Sequence, residues 1–122
     1  MVLTGADRRA LRALGNGLKP TVFVGKDGVS GDVLRAVIEA NRTSELLKVK
    51  VLEGCPLDRH EAARELDQRS GLTVVQVLGR TILLFRRHPE NPRISLPSAP
   101  LPDPKESRGG PAGEEPRGAR GR

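Results

Sequence analysis

Tryptophan and tyrosine are absent from this chain, and phenylalanine occurs only at Phe23 and Phe85. A surface that stacks several nucleobases on aromatic rings is therefore not expected. Both rings lie in apolar runs, where packing in the core is the simpler role. Cysteine is nearly missing too: Cys55 stands alone, which excludes an internal disulfide and a cysteine-built zinc site and fits a reducing compartment. His60 and His88 are isolated and read as surface residues. With no acid, base and nucleophile converging, no catalytic residue, metal ligand or cofactor is assigned. No apolar run approaches the length of a membrane span, and the N-terminus lacks a signal-peptide pattern. The expectation is a soluble, cytoplasmic, non-enzymatic monomer.

The 122 residues present suit one domain. Apolar residues reach 36%, below the globular average, and the deficit is concentrated at the C-terminus. Eight of the ten prolines lie at or beyond Pro89, and the last residues are mostly Pro, Gly, Arg, Glu and Ser. Such a composition cannot offset the entropy of ordering a backbone. The division expected is a folded domain over 1–97 and a disordered Pro/Gly/Arg-rich tail over 98–122. Net charge is +6, most of it in the domain, which holds 16 Lys+Arg against 11 Asp+Glu. That balance favours a phosphate-rich partner, although basic residues also serve plain solubility. Position decides between these.

Thr4 and Asp7 form a variant capping box ahead of a helix with Leu11, Leu14 and Leu18 at helical spacing, ended by Gly15 and Gly17. Lys19-Pro20 leads into the strand-like run TVFVG. The next stretch, VFVGKDGVSGDVL, admits two readings, since Asp27-Gly28 is a common hairpin signal. A hairpin needs a second alternating strand. Instead Val33, Leu34, Val37 and Ile38 recur as a helix stripe, with Ser30 or Asp32 as cap and an Arg35–Glu39 pair on the outer face. The GKDG segment therefore joins strand to helix.

ELLKVKVLEG is a second strand, with Leu47, Val49 and Val51 on one face and Lys48 and Lys50 on the other. A third helix is capped by Asp58 and Glu61, carries Ala62, Ala63 and Leu66, and stops at Gly71. LTVVQVL and TILLFRR make a closing hairpin around Gly79-Arg80. The order is α-β-α-β-α-β-β. The fold class expected is α/β: a two-layer domain with a mixed four-stranded sheet and the helices on one face.

Gly25 and Gly28 bracket a turn at a helix start, a place where backbone amides and the helix dipole can meet a phosphate. Lys26 adds charge at the tip. Asp27 opposes an anion and is expected to turn back and cap the loop. G-x-x-G alone is equally a plain connecting turn. Lys48 and Lys50 alone are equally a solvated outer face.

The segments LRALGNGLKPTVFVGKDGVSGDVL, ELLKVKV and VVQVLGRTILLFRR together resemble the CRM domain, the chloroplast RNA splicing and ribosome maturation family, in its single-domain bacterial YhbY-type form. The likeness runs from about Leu3 to Pro97. It implies an RNA-binding fold related to the C-terminal domain of translation initiation factor three. It also implies a G-x-x-G loop and surrounding basic surface that contact RNA, and a role on the precursor of the large ribosomal subunit. Matched residue by residue, the implied RNA-binding positions are Lys19, Gly25, Lys26, Asp27, Gly28, Lys48, Lys50 and Arg80. Asn16-Gly17 departs from a His-Pro-like pair, Val29-Ser30 from Leu-Thr, and Phe85 from Tyr.

The rival reading is a protein-interaction adaptor that uses the tail as bait. A weaker one is a nucleotide-binding enzyme built on Gly25–Gly28, although GKDGVS lacks phosphate-loop spacing.

Overall fold

The computed structural model describes residues 2–101. The expected order is present: α1 (Gly5–Gly15), β1 (Pro20–Val24), α2 (Gly31–Thr43), β2 (Leu46–Val51), α3 (Arg59–Ser70), β3 (Thr73–Leu78) and β4 (Thr81–Phe85). One sheet runs β1-β2-β4-β3, with β1 and β2 parallel and the other neighbours antiparallel. The tail from 102 onward lies outside the described residues.

Caps start the helices. Thr4 and Asp7 exchange the two bonds of a capping box at α1, as Asp58 and Glu61 do at α3, and Ser30 caps α2 by accepting from the Val33 amide. Gly71 closes α3 in the left-handed conformation at φ 83. The outer-face pairs of α2 are Arg35 with Asp32 and Arg42 with Glu39, each at i,i+3 spacing in place of the i,i+4 Arg35–Glu39 pair expected. All are exposed ion pairs of small energetic weight.

The helices do not share one face, and this corrects the two-layer expectation. Val22, Val24, Leu47, Val49, Val51, Ile82 and Leu84 meet α2 and α3 in the larger core. Leu46, Leu83, Phe85 and Val75 point the other way, into a second core with Leu11 of α1 and Leu96. The reason lies in β4, where Ile82 to Phe85 are all buried. A strand that is apolar on both faces needs cover on both.

The inward face of α1 also differs from the leucine stripe. Leu14 is 51% exposed, while Asp7, Leu11 and Gly15 are buried. Gly15 is the last residue of the helix, as expected, and Asn16 is its C-cap. A Cβ at Gly15 would lie 2.9 Å from Leu83 Cδ2, so the missing side chain lets α1 settle on the sheet. Arg8 anchors the same helix by donating to the carbonyls of Val74 and Val75, at 3.0 and 3.2 Å.

Two buried carboxylates tie the C-terminal segment over this second face. Glu45 accepts from the amides of His88, Arg93 and Ile94 at 2.7–2.9 Å. Burial pushes its pKa up, and the three donors outweigh that and hold it below the ordinary range. Asp7 accepts from the Ser98 amide at 3.0 Å and from its hydroxyl. The chain therefore remains attached to the body beyond the boundary drawn at 97, through Ser98 and the Leu96–Ala99 bridge. His88, read as a surface residue, is partly buried with Nε2 against the Asn41 carbonyl.

The β1–β2 register shifts between Pro20 and Val22, so that Pro20 pairs with Lys48 and Val22 already with Val49. Thr21 is the surplus residue of a β-bulge.

The Ser98 hydroxyl is the main reason that the Asp7 carboxyl is lowered from the ordinary 3.8 to about 2, against the opposing effect of burial. A folded-state value below the unfolded one stabilises the fold fully above about pH 4, and that contribution is lost as pH falls toward about 2. Thermal melts should find Asp7→Asn less stable than wild type at neutral pH, with the two converging below about pH 3. A constant gap across that window would contradict the assignment.

Candidate functional site

Since β1 and β2 are parallel and β4 runs against them, one end of the sheet collects three connections. These are the Gly25–Ser30 loop after β1, the Leu52–Asp58 loop after β2, and the Gly79-Arg80 tip between β3 and β4. Hydrogen bonds close them together: Leu52 donates to the Val24 carbonyl at 2.9 Å, and Val51 donates to the Arg80 carbonyl at 2.7 Å.

Gly25 to Gly28 form a tight turn, with the Gly28 amide donating to the Gly25 carbonyl at 3.0 Å. Gly28 has φ 65, the left-handed region that glycine enters without steric cost. It is buried, and its α-carbon faces Leu57 and Pro56: an added Cβ would sit 3.7 Å from Leu57 Cδ1. Gly28 thus serves the turn and its packing on the β2–α3 loop, with its own amide already committed. The accessible part of the loop is its tip, where Lys26 and Asp27 are both exposed. Among the described residues, the amides of Lys26 and Asp27 donate no hydrogen bond. Asp27, expected to turn back as a cap, accepts none either. The tip can offer an anion two main-chain donors and an ammonium group, with one carboxylate opposing.

The structure brings some of the expected residues together and keeps others apart. Lys50 pairs in register with Phe23 on one side and with Thr81 on the other, next to Arg80, so Lys26, Lys50 and Arg80 share this end. Lys48 lies on the same face two residues back, beside Leu83, and is partly buried. Lys19 precedes β1 at its opposite end, roughly 20 Å from Lys26 along an extended strand. It lines a separate apolar groove with Leu18 and Thr43.

A cleft of about 340 Å³ lies between the β2–α3 loop and the hairpin tip, lined among others by Leu52, Glu53, Cys55, Arg59 and Arg80. Arg59 reaches across it to the Gly79 carbonyl at 3.4 Å. Asp58 also borders the cleft, but its carboxylate is bound to the amides of His60 and Glu61, both at 2.8 Å. The Glu61 amide is the main cause holding that group below the ordinary carboxylate range, against a smaller push from burial. Cys55 is partly buried, with Sγ accepting from the Leu57 amide. No group of three His, Cys, Asp or Glu that could hold a metal exists among the described residues.

Phe85 is a core residue at 2% exposure, as expected, whereas Phe23 is not: half of its surface is open to solvent. The overlooked signal was strand parity. Val22 and Val24 face the helices, so Phe23 must face away, just as Lys48 and Lys50 do. Leu52, 41% exposed, lies at the same end.

Comparison with known proteins places these features in company. A model of the CRS1 / YhbY (CRM) domain matches residues 3–86. A chain from Bacillus subtilis named probable RNA-binding protein YqeI is 38% identical over 96 residues, which span 79% of this chain and all of the relative. A probable RNA-binding protein of Pseudomonas aeruginosa is 31% identical over 90 residues, 74% of this chain and 86% of that one. The solution structure of a Staphylococcus aureus protein, described as a candidate RNA binder, superposes with a TM-score of 0.68 at 33% identity. It covers 79% of this chain and 100% of its own.

The turn geometry separates the two glycines. Gly28→Ala should destabilise the fold by about 1–2 kcal/mol in urea titrations, because alanine resists positive φ. Gly25→Ala should stay within about 0.5 kcal/mol of wild type, since an added Cβ would meet nothing nearer than Leu52 at 3.9 Å. Equal losses would refute this division of roles.

Proposed function

The chain belongs to the CRS1 / YhbY (CRM) domain family, and on that premise we propose that it is a non-catalytic RNA-binding protein. Its target in this reading is ribosomal RNA of the large-subunit precursor, which it binds in the cytoplasm as a monomer during ribosome assembly. The observation that carries the RNA reading is the convergence of Lys26, Lys50 and Arg80 with two uncommitted loop amides at one end of the sheet. Dispersed ammonium and guanidinium groups beside free main-chain donors suit a run of phosphates better than a single small anion. The curated relatives, each named a probable RNA-binding protein, support the same partner.

Asp27 and Glu53 at this end limit how much charge the surface offers. Affinity therefore rests on a track of several contacts, extended by Lys48 along the open sheet face. Lys19, at the other end of β1, reaches only a strand long enough to cross the domain. The ribosomal assignment rests on the family resemblance and is tested separately: crosslinking in cells should recover large-subunit precursor RNA, and the protein should sediment with that particle.

With about four to six phosphates engaged, log affinity for a single-stranded RNA should fall against log salt with a slope of roughly −3 to −4. In filter-binding titrations, Lys26→Ala and Lys50→Ala should each weaken binding and flatten that slope by about 0.7, with the melting temperature unchanged. A salt-independent affinity, or lysine variants that bind like wild type, would overturn the reading.

A further inference from the structure

From the exposed ring of Phe23 and its setting, we infer that the uncovered part of the sheet's second face takes an unpaired nucleobase of single-stranded RNA, stacked on Phe23. The inference rests on the RNA-binding reading above and specifies which part of the ligand, beyond phosphate, the surface holds.

Four observations meet at this point. The sheet's second face is only partly covered: the core beneath α1 takes Leu46, Val75, Leu83 and Phe85, and Phe23 is not among its members. Phe23 leaves half its surface in water although the chain owns only one other aromatic ring, and that one is wholly packed. Lys50, the ladder partner of Phe23, is exposed on the same face, so a cation flanks the ring at the spacing of neighbouring strands. Leu52 continues the apolar surface toward the G-x-x-G turn, whose first glycine it nearly touches at 3.9 Å from an added Cβ.

Charge complementarity selects the occupant. An apolar ring edged by Lys50 and Lys48, with Lys26 and Arg80 at the adjoining sheet end, offers a π-face to a base and cations to the phosphates on either side of it. Stacking of this kind tolerates any base and needs the base to be unpaired, so it discriminates single strands from duplex without reading sequence. A strand gripped by phosphate at the loop tip would pass over Phe23 as it continues toward Lys48.

The test uses the full chain and a single-stranded oligouridylate of about twelve residues, with an RNA duplex of the same length as control. Phe23→Ala and Phe23→Leu should each bind the single strand about tenfold more weakly, with the salt slope unchanged and duplex binding unaffected. Phe23→Trp should bind at least as tightly. As the chain has no other tryptophan, its emission reports this position alone and should be quenched as the oligonucleotide saturates. Circular dichroism melts confirm that each variant folds. If Phe23→Leu binds like wild type, the contact is merely apolar and stacking is refuted. Unchanged affinity in Phe23→Ala with unquenched Phe23→Trp, while Lys26→Ala still weakens binding, removes the base site and leaves the phosphate track standing. Wild type that ignores RNA at every salt concentration defeats the RNA reading and the base site with it.

Discussion

The arrangement depends on how a four-stranded sheet with an apolar middle is covered on two faces by three helices. Two helices cover one face. The remaining helix cannot span the other, so the chain completes the cover with its own C-terminal segment. Asp7 and Glu45 hold that segment in place through amide and hydroxyl donors. Buried carboxylates are costly unless their oxygens are satisfied, and here most of the satisfying groups come from the strap between His88 and Ser98, with the Thr4 amide adding one donor to Asp7. The result is a sheet closed over β3, β4 and the start of β2, and open where β1 and β2 end.

That asymmetry positions the candidate site. The parallel pairing of β1 and β2 sends both following loops to the same end, where the hairpin tip also arrives. Open sheet, loop tip and hairpin tip thus form one continuous surface. Its rigidity comes from main-chain bonds: Val51 to Arg80 and Leu52 to Val24 stitch the three connections together. Gly28, folded under Leu57, fastens the loop to the entry of α3. The charged side chains stand on a framework already set before any ligand arrives, which reduces the ordering cost of binding.

Much of this was legible in the residues. Capping signals at Thr4, Ser30 and Asp58 placed the helix starts. Gly71 and Gly79 marked a helix end and a hairpin, and parity separated Lys48 and Lys50 from the core. What escaped was tertiary. The leucine spacing of the first helix pointed to Leu14, but a helix lying against a sheet through Gly15 is fixed by close approach, and an absent side chain leaves little trace in a hydrophobic pattern. The single-face arrangement is incompatible with β4, whose residues Ile82 to Phe85 are apolar on both sides and require cover on both. Asp7 looked like a cap residue only, since its second partner, Ser98, is remote in sequence. Phe23 was assigned by residue type, when its neighbours Val22 and Val24 carried the better signal.

The bulge at Thr21 has a consequence for which ring this domain can show. Counting from Pro20 without the surplus residue, Val22 would fall opposite Lys50, and Phe23 opposite Val51, which faces the helices. The same residues paired without the bulge would swap inside for outside along the rest of the strand, hiding the phenyl ring beneath α2 and leaving a small aliphatic group in its place. Which side chains that exterior shows is therefore governed by how the pairing absorbs one extra residue between a proline and a glycine, a matter of alignment before it is one of amino-acid type.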